Sequence, residues 1–514
     1  MAETVLLTGA QIADGTGNPL RAGEVLIDGD RIAAVAEPGT LPGEHPRRDL
    51  DGLVLAPGFV DAHSHADNAP LLAADDTTKI LQGVTTEVVG NCGFSLAPRE
   101  PARSDELAGF LERLFPPAEL DWTSFAELFA RVDAAGSVTN QCPLVGHTSL
   151  RIAAMGVAER PAEPAAVRRM AELLDEGMRA GAFGLSSGLI YPPALFADTG
   201  ELTELAAAMG GAGRYVTHMR DEGAQLPEAV DEALRIGAKT GHTHLSHLKA
   251  AGREHWGALP SALERIRAAR AGGQHVSHDV YPYTASSTML LTLLPPDYLG
   301  GDTEQLLARL RSSACLPELR QALDGTDWDA VLVATTASHQ HEGRTIAEIA
   351  GGGDPVAALV ELLVSEQLRV AMVHFSMHEQ DLLAALADEH TMIGSDGLPP
   401  GTGGRPHPRL FGTFPRLLRR YVREDGVLDL PEAVRRMTSL PAGEFAVPDR
   451  GLLAAGRIAD LVAFDPAAVT DVGDYRDPVH PPAGIRWVCQ AGHTVVEDGQ
   501  YRGPRRGVRL TPAH

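Results

Sequence analysis

Short apolar runs rich in β-branched residues alternate with helical patterns through most of this 514-residue chain. The strand candidates are Val84–Val89, Tyr215–Thr217, Thr243–Leu245, His275–Ser277, Val370–Val373 and Met392–Ile393. Between strands, apolar side chains recur at helical spacing, as at Val167, Met170 and Leu174. Repeated strand–helix units favour a parallel sheet covered by helices, which is an α/β fold. The pattern leaves two architectures open, a closed barrel and a doubly wound open sheet.

The two ends of the chain have a different pattern, of short strands joined by tight turns. Near the start, Asp28–Asp30 separates two apolar runs and predicts a hairpin, and Asp498–Gly499 repeats this signal near the end. Neither end is long enough to bury a core alone, so we expect the two to pair into one domain. The expected segments are 1–55 and 443–514 for this domain, 56–442 for the large domain, and a lid-like insertion within it at 285–345.

Composition narrows the choice of partners. The chain carries 44 Lys and Arg against 68 Asp and Glu, a net charge of -24 that repels nucleic acid and anionic membranes. No apolar stretch approaches the roughly 20 residues that span a bilayer, and Met1–Leu7 lacks the basic start of a signal peptide. The four cysteines are widely scattered, which indicates a reducing compartment. We therefore expect a cytoplasmic protein that acts on a small molecule, without nucleic-acid or membrane partners.

Residues of metal-binding type follow several strand candidates. His63 and His65 follow the apolar run Leu53–Ala56 and stand two residues apart. Because side chains alternate across a strand, both imidazoles would point to one side, which suits a divalent metal such as zinc. Four more ligand-type residues follow other strand candidates: Cys92, His218, His247 and Asp396. In a parallel barrel such strand ends meet on one face, which predicts a shared site. His147 also follows an apolar run, but we interpret it as structural.

Longer motifs surround these residues. They are Pro57–His65, Gly83–Gly93, Gly184–Pro193, Thr217–Arg220, Ser246–Lys249, Asp279–Tyr283 and Gly394–Pro399. In content and order they resemble the motifs of the N-acyl-D-amino-acid deacylase (D-aminoacylase) family of the amidohydrolase superfamily, and the likeness covers nearly the whole chain. The element Gly90–Gly93, with the sequence Gly-Asn-Cys-Gly, is much more specific than the histidine pair.

The resemblance implies a (β/α)8 barrel of the TIM type, with a small β-sandwich domain formed by both chain ends. It implies a tight zinc site formed by Cys92, His218 and His247, and a second, weaker site formed by His63, His65 and Asp396. Many relatives bridge two metals with a carboxylated lysine, but the corresponding segment Gly184–Ser187 contains none. A bridging Cys92 thiolate would fill that role.

The activity implied by the resemblance is hydrolysis of the amide bond of an N-acyl-D-amino acid, which gives a carboxylate and a D-amino acid. Asp396 would be the catalytic residue that moves a proton from water to the leaving amine. The resemblance also implies Arg409 as the first candidate for binding the substrate carboxylate, and a guanidinium can make two parallel hydrogen bonds to a carboxylate. Lys249 is the second candidate. The hydroxyl donors expected near the substrate are Tyr281 or Tyr283, and Tyr191.

Two other functions remain open on the sequence alone. The first is hydrolysis of another amide, for example a cyclic one of the hydantoin or dihydropyrimidine type; the missing lysine and the presence of Cys92 count against it. The second is a non-catalytic scaffold of the amidohydrolase type. Such scaffolds tend to lose metal ligands, whereas this sequence keeps all six.

Overall fold

The computed structural model describes residues 4–513, apart from the side chain of Ala212. Residues 1–3 and 514 lie outside the described residues, and with them the start of the segment inspected for a signal peptide. The strands are β1 Val5–Thr8, β2 Gln11–Ile12, β3 Arg21–Ala22, β4 Glu24–Asp28, β5 Arg31–Ala36, β6 Arg47–Asp49, β7 Val54–Pro57, β8 Phe59–Asp61, β9 Val84–Val89, β10 Asn140–Pro143, β11 Val145–Gly146, β12 Leu185–Gly188, β13 Tyr215–His218, β14 His242–Leu245, β15 His275–Val280, β16 Ser286–Met289, β17 Val331–Thr336, β18 Val370–His374, β19 Thr391–Ile393, β20 Leu461–Phe464, β21 Ile485–Gln490, β22 His493–Glu497 and β23 Gln500–Tyr501. The α-helices are α1 Ser104–Leu111, α2 Phe125–Ala135, α3 His147–Met155, α4 Pro164–Arg179, α5 Thr199–Met209, α6 Leu226–Gly237, α7 Leu259–Ala271, α8 Thr303–Leu310, α9 Cys315–Ala322, α10 Ile346–Ala350, α11 Pro355–Ser365, α12 Glu379–Leu386, α13 Arg409–Arg416, α14 Leu430–Met437 and α15 Ser439–Glu444.

A series of parallel strands forms the centre of the molecule. Strands β8, β9 and β10 pair in parallel, and so do β11 to β15 followed by β19. Only Leu144 separates β10 from β11, and its N–H donates to Val89 O at 2.9 Å, so the two groups are continuous. The far ends of the series also meet, because Ala62 N donates to Ile393 O at 3.2 Å. The predicted α/β class is therefore confirmed, and the carboxyl ends of these strands share one side.

Helices α4, α6 and α7 cover the parallel strands with the apolar stripes that the spacing predicted. The buried side chains include Val167, Met170 and Leu174 of α4, Leu226 and Val230 of α6, and Leu263 and Ile266 of α7. Strand β9 is buried along its whole length. A strand covered on both faces does not alternate between polar and apolar residues, and the β-branched residues of β9 were the signal that predicted it.

Both chain ends contribute to one seven-stranded sheet, in the order β23-β22-β21-β20-β7-β2-β3. Strand β20 pairs antiparallel with β7, with Leu461 opposite Pro57. A four-stranded sheet, β5-β4-β1-β6, shares an apolar core with it. The predicted hairpin joins β4 to β5, with Asp28 opposite Arg31 and Gly29 at a φ of 63° that favours glycine.

A separate, antiparallel sheet contains β16, β17 and β18. The strand predicted at 370–373 exists as β18, but its placement in the parallel repeat was wrong, because it pairs antiparallel with both neighbours. A continuously apolar run has the same pattern in either kind of sheet, so the sequence did not specify its partners. Within residues 4–513, no helix has both the length and the apolar character needed to cross a bilayer.

Candidate active site

All six predicted ligand residues lie at the carboxyl ends of parallel strands. His63 and His65 follow β8, Cys92 follows β9, His218 ends β13, His247 follows β14 and Asp396 follows β19. All are buried, and the largest exposure among them is 7 %, at Asp396. The common edge of the parallel strands therefore brings these side chains together out of bulk water.

Four of the six side chains form one compact group. Potential ligand atoms of His63, Cys92, His247 and Asp396 all lie within 4.8 Å of one another. The Cys92 Sγ lies 3.3 Å from His63 Nε2 and 3.6 Å from His247 Nε2. A sulfur, two imidazole nitrogens and a carboxylate oxygen are the donor types that zinc binds in proteins, so the group fits that metal.

Three members of this group have strained backbones. The φ angles are 54° at Cys92, 37° at His247 and 48° at Asp396. These values lie in the left-handed backbone region that residues other than glycine rarely adopt. Each such residue costs on the order of 1–3 kcal/mol, and strain of this kind collects at functional sites. The surrounding fold therefore holds these three side chains in place against a local cost.

The remaining two histidines border the group. The His218 ring centre lies 4.4 Å from that of His247, and neither His218 nitrogen has a hydrogen-bond partner among the described residues. Burial lowers the pKa of His218, which favours the neutral imidazole that binds metals. His65 Nε2 lies 3.1 Å from Asp396 Oδ1. Buried imidazole nitrogens without partners are a second sign that a metal belongs here.

Electrostatics favour the thiolate form of Cys92. Burial alone raises the pKa of a thiol, but the neighbouring imidazoles, His63 first among them, outweigh it and hold the Cys92 pKa well below its ordinary value. By contrast, burial raises the pKa of Cys142 to about 12, because no imidazole offsets it. The thiolate is the form that binds metal.

Two carboxylates orient the histidines, and the sequence analysis did not identify their role. Asp279 Oδ2 lies 3.3 Å from His63 Nδ1 and 2.7 Å from His244 Nε2. Glu222 Oε1 lies 3.0 Å from His247 Nδ1. A carboxylate on Nδ1 leaves Nε2 free to face a metal, an arrangement typical of zinc histidines. Glu222 stands four residues after His218, and this spacing was the one feature of the sequence that could have indicated its role beside the histidines.

A buried ionic cluster lies behind the histidine pair. Lys79 Nζ is 3.3 Å from Glu87 Oε2 and 3.5 Å from Asp61 Oδ2. Asp61 Oδ1 accepts from His63 N at 3.1 Å, and its Oδ2 accepts from Ser395 Oγ at 2.6 Å. The cluster therefore ties the loop that carries His63 to the segment directly before Asp396. Sequence reasoning missed it, because Lys79 lies between two recognised motifs.

The predicted carboxylate-binding residues also lie beside the group. Arg409 Nη1 is 3.0 Å from Asp396 Oδ2, and Arg409 Nη2 donates to Ser287 O at 2.9 Å. Arg409 is buried, and its Nε has no hydrogen-bond partner among the described residues. Lys249 Nζ lies 2.6 Å from Glu222 Oε1, which neutralises it. Arg409 therefore retains donor capacity that Lys249 has already used.

The three predicted tyrosines have different surroundings. The guanidinium of Arg409 lies 4.6 Å from the ring centre of Tyr281. Tyr191 lies 5.1 Å from the His218 ring centre. The ring of Tyr283 instead lies under Arg416, at 4.5 Å. Tyr281 and Tyr191 are therefore beside the candidate site, whereas Tyr283 packs against a different arginine.

His147 and the segment without a lysine, both noted in the sequence, can now be placed in the structure. His147 Nε2 lies 2.8 Å from Glu201 Oε1, within a buried pair outside the group, in line with its structural interpretation. Strand β12 has the sequence Leu-Ser-Ser-Gly and carries no lysine.

Parallel strands that present a thiol, imidazoles and a carboxylate at one edge are what the amidohydrolase resemblance implied. The sequence profile of the amidohydrolase family matches residues 48–496. A D-aminoacylase of Alcaligenes xylosoxydans xylosoxydans is 38% identical over 514 residues, which cover 98% of this chain and 96% of that protein. The chain therefore belongs to the amidohydrolase family and, within it, to the D-aminoacylase family.

Two solved structures extend the likeness to the fold. A D-aminoacylase, studied for its binuclear metal centre with one-metal activation and second-metal attenuation, matches with a TM-score of 0.84 and 36% identity. The N-acyl-D-glutamate deacylase of Bordetella bronchiseptica, complexed with zinc and a phosphonate inhibitor that mimics the tetrahedral intermediate, matches with a TM-score of 0.84 and 34% identity. Each match covers 99% of this chain and 100% of the other.

Proposed function

We propose that this protein is a zinc-dependent N-acyl-D-amino-acid deacylase, which hydrolyses a linear amide to a carboxylate and a D-amino acid. The observation that carries the proposal is the convergence of His63, Cys92, His247 and Asp396 within 4.8 Å. The extended likeness to D-aminoacylase supplies the substrate class. Hydrolysis of a cyclic amide has less support, because β12 offers no lysine to bridge two metals.

Cys92, His218 and His247 would hold the tightly bound zinc, and His63, His65 and Asp396 a second, weaker one, with Cys92 shared between them. The unpartnered nitrogens of His218 and the thiolate character of Cys92 support this division. Zinc, when bound, supplies Lewis acidity that polarises an amide carbonyl and lowers the pKa of water to about 7. Asp279 and Glu222 would keep the histidine Nε2 atoms turned toward it.

Asp396 would hold and move the proton. Burial raises the pKa of a carboxyl group, but Arg409 and His63 outweigh it and keep the Asp396 pKa well below its ordinary value. The carboxylate is then ionised at neutral pH and accepts a proton from the attacking water. The same oxygen delivers that proton to the leaving nitrogen, so one residue serves as base and then as acid.

Arg409 would bind the substrate carboxylate, since its Nε lacks a partner and its position beside Asp396 sets the reacting amide near the proton carrier. Tyr281 stacks on that guanidinium and would supply a hydroxyl at the same end of the substrate. Lys249 would act as a second cation, and Tyr191 would border the substrate near His218. Between the two candidate tyrosines, the surroundings favour Tyr281 over Tyr283.

We further propose that the parallel strands close into a (β/α)8 barrel, with β10 and β11 counted as one strand. The hydrogen bond from Ala62 to Ile393 supports closure. The pairing of β7 with β20 supports a β-sandwich made from 1–55 and 443–514 around a barrel at 56–442, and the antiparallel sheet supports an insertion that begins near 285. A cytoplasmic location is supported by the four cysteines, which are all free and buried.

The test is an assay of the metal-free protein after addition of one and then two equivalents of zinc. The substrates are N-acetyl-D-leucine, N-acetyl-L-leucine and a hydantoin. We expect one zinc to restore hydrolysis of the D compound, with little turnover of the L compound and none of the hydantoin. Turnover of the hydantoin alone, or no turnover of any substrate after zinc is restored, would contradict the proposal.

A further inference from the structure

Arg113 is a buried arginine that forms no ion pair with a described residue. Its side chain lies just after helix α1 and the residue is only 6 % exposed. Among residues 4–513 it forms no ion pair, and its Nε has no hydrogen-bond partner. Burial lowers the pKa of Arg113 to about 10, and the Asp302 carboxylate offsets this only in part, so the guanidinium remains charged at neutral pH. A buried charge without an ion-pair partner destabilises the folded state, so it is retained only where another interaction offsets it.

Arg113 borders a small cavity of about 200 Å³ whose wall is partly polar and partly apolar. A second arginine, Arg369 at the start of β18, lines the same cavity and also forms no ion pair with a described residue. Its other polar residues are Thr335, Thr336, His339 and Thr402, and the one carboxylate residue in the wall is Glu112. The cavity is therefore bordered by two arginines that form no ion pair with a described carboxylate.

The cavity is separate from the metal site described above. Phe115 forms part of its wall, and the Phe115 ring centre lies 6.2 Å from that of Phe94. Phe94 in turn lies 6.0 Å from the His65 ring centre. The rings of Phe115 and Phe94 thus lie between the cavity and His65. Arg113 is for that reason a poor candidate for binding the carboxylate of the reacting amide.

A neighbouring cavity of about 550 Å³ is less suited to an anion than the smaller one. Both arginines also border this larger space. Its wall contains five carboxylates: Asp105, Glu106, Glu112, Asp302 and Glu304. An anion would be repelled there, whereas in the smaller cavity the positive groups outnumber the negative ones.

We propose that the smaller cavity is a binding site for a small oxyanion, a carboxylate or inorganic phosphate, held between Arg113 and Arg369. Guanidinium groups bind both anions through paired hydrogen bonds, which gives orientation as well as charge. Thr402 and Gly401 of the same wall belong to the loop between Asp396 and Arg409. An anion in the cavity therefore joins this loop to the two arginines and stabilises it.

The experiment measures binding of inorganic phosphate and, separately, acetate to the zinc-loaded protein by calorimetry. The variants are Arg113→Met, Arg369→Met and the double variant, with the exposed Arg169→Met as the matched control. We expect saturable binding of at least one anion to the parent and to the control, and at least tenfold weaker binding to the double variant. The anion whose saturable binding is lost in the double variant is the kind of oxyanion that the cavity prefers. Unchanged affinity in the double variant, or no saturable binding of either anion to the parent, overturns the proposal.

Thermal unfolding gives a second readout that a general packing defect would not reproduce. Removing a buried charge that forms no ion pair should leave Arg113→Met at least as stable as the parent in anion-free buffer. Phosphate or acetate should raise the melting temperature of the parent and of Arg113→Lys more than that of Arg113→Met. The turnover number of Arg113→Met without added anion should match the parent. An equal rise in melting temperature for Arg113→Met and the parent contradicts the site.

Discussion

At the scale of single residues, Asp396 has two proposed roles, metal binding and proton transfer, and a substitution can separate them. Its carboxylate borders the metal-type group and also lies within reach of both His65 and Arg409. Asparagine keeps the shape and one acceptor oxygen but cannot take up a proton. The variant Asp396→Asn therefore tests whether proton transfer, rather than folding or metal binding, depends on this position.

We expect Asp396→Asn to lower kcat by about 10²–10⁴, the usual contribution of a general acid–base group. The tight zinc should remain, because its proposed ligands Cys92, His218 and His247 are untouched. Zinc content and kcat are measured on the same preparation, with the exposed Asp324→Asn as control. Near-normal kcat in Asp396→Asn would show that another group carries the proton.

Arg409 provides the second test at this scale. Arg409→Met should raise KM by at least tenfold for N-acetyl-D-leucine and much less for its uncharged carboxamide, because only the acid offers a carboxylate to bind. The control is Arg420→Met, because Arg420 pairs with Glu379 and not with Asp396. Equal losses on the acid and the carboxamide would contradict the carboxylate-binding role.

At the scale of secondary-structure elements, the Lys79 cluster joins segments that are far apart in sequence. Lys79→Met would leave Asp61 and Glu87 buried without their cation, at a cost of roughly 3–5 kcal/mol. We expect a clear fall in melting temperature together with reduced activity, since the cluster holds the His63 loop against Ser395. The exposed Lys239→Met should change neither quantity. An unchanged melting temperature in Lys79→Met would contradict the structural role of the cluster.

The pairing of helices α3 and α5 depends on pH through Glu201. Burial raises the pKa of this carboxyl group, but His147 and Arg151 outweigh it and lower the pKa to about 2. A depressed pKa stabilises the folded state above the ordinary value of 4.5 and loses that effect as pH falls toward 2. Glu201→Gln should therefore lower the melting temperature at pH 7, with a difference that shrinks as pH falls from 5 to 3. A constant difference over that range would show that Glu201 is not the titrating group.

At the scale of the whole molecule, the sequence was most informative where function and strand geometry coincide. The alternation of side chains along a strand placed His63 and His65 on one side, and the parallel repeat brought distant ligand-type residues to one edge. The class of fold and the members of the metal-type group could be predicted for this reason.

Other features depend on contacts that no local pattern encodes. Glu222 and Asp279 look like ordinary acidic residues until the fold sets them against histidine Nδ1 atoms. Strand β18 is as apolar as a strand of the parallel series, yet it pairs elsewhere. Tyr281 and Tyr283 stand two residues apart, and only their packing against Arg409 and Arg416 distinguishes them.

We propose that one thiolate and two imidazoles, from Cys92, His218 and His247 on three separate strands, bind the catalytic zinc. X-ray absorption at the zinc edge, on protein loaded with one equivalent of zinc, measures these ligands. We expect one sulfur at about 2.3 Å, with the remaining neighbours nitrogen or oxygen. That sulfur should be absent from any zinc bound to Cys92→Ala and present in Cys315→Ala. A zinc shell of nitrogen and oxygen alone in the parent protein would show that Cys92 is not a zinc ligand.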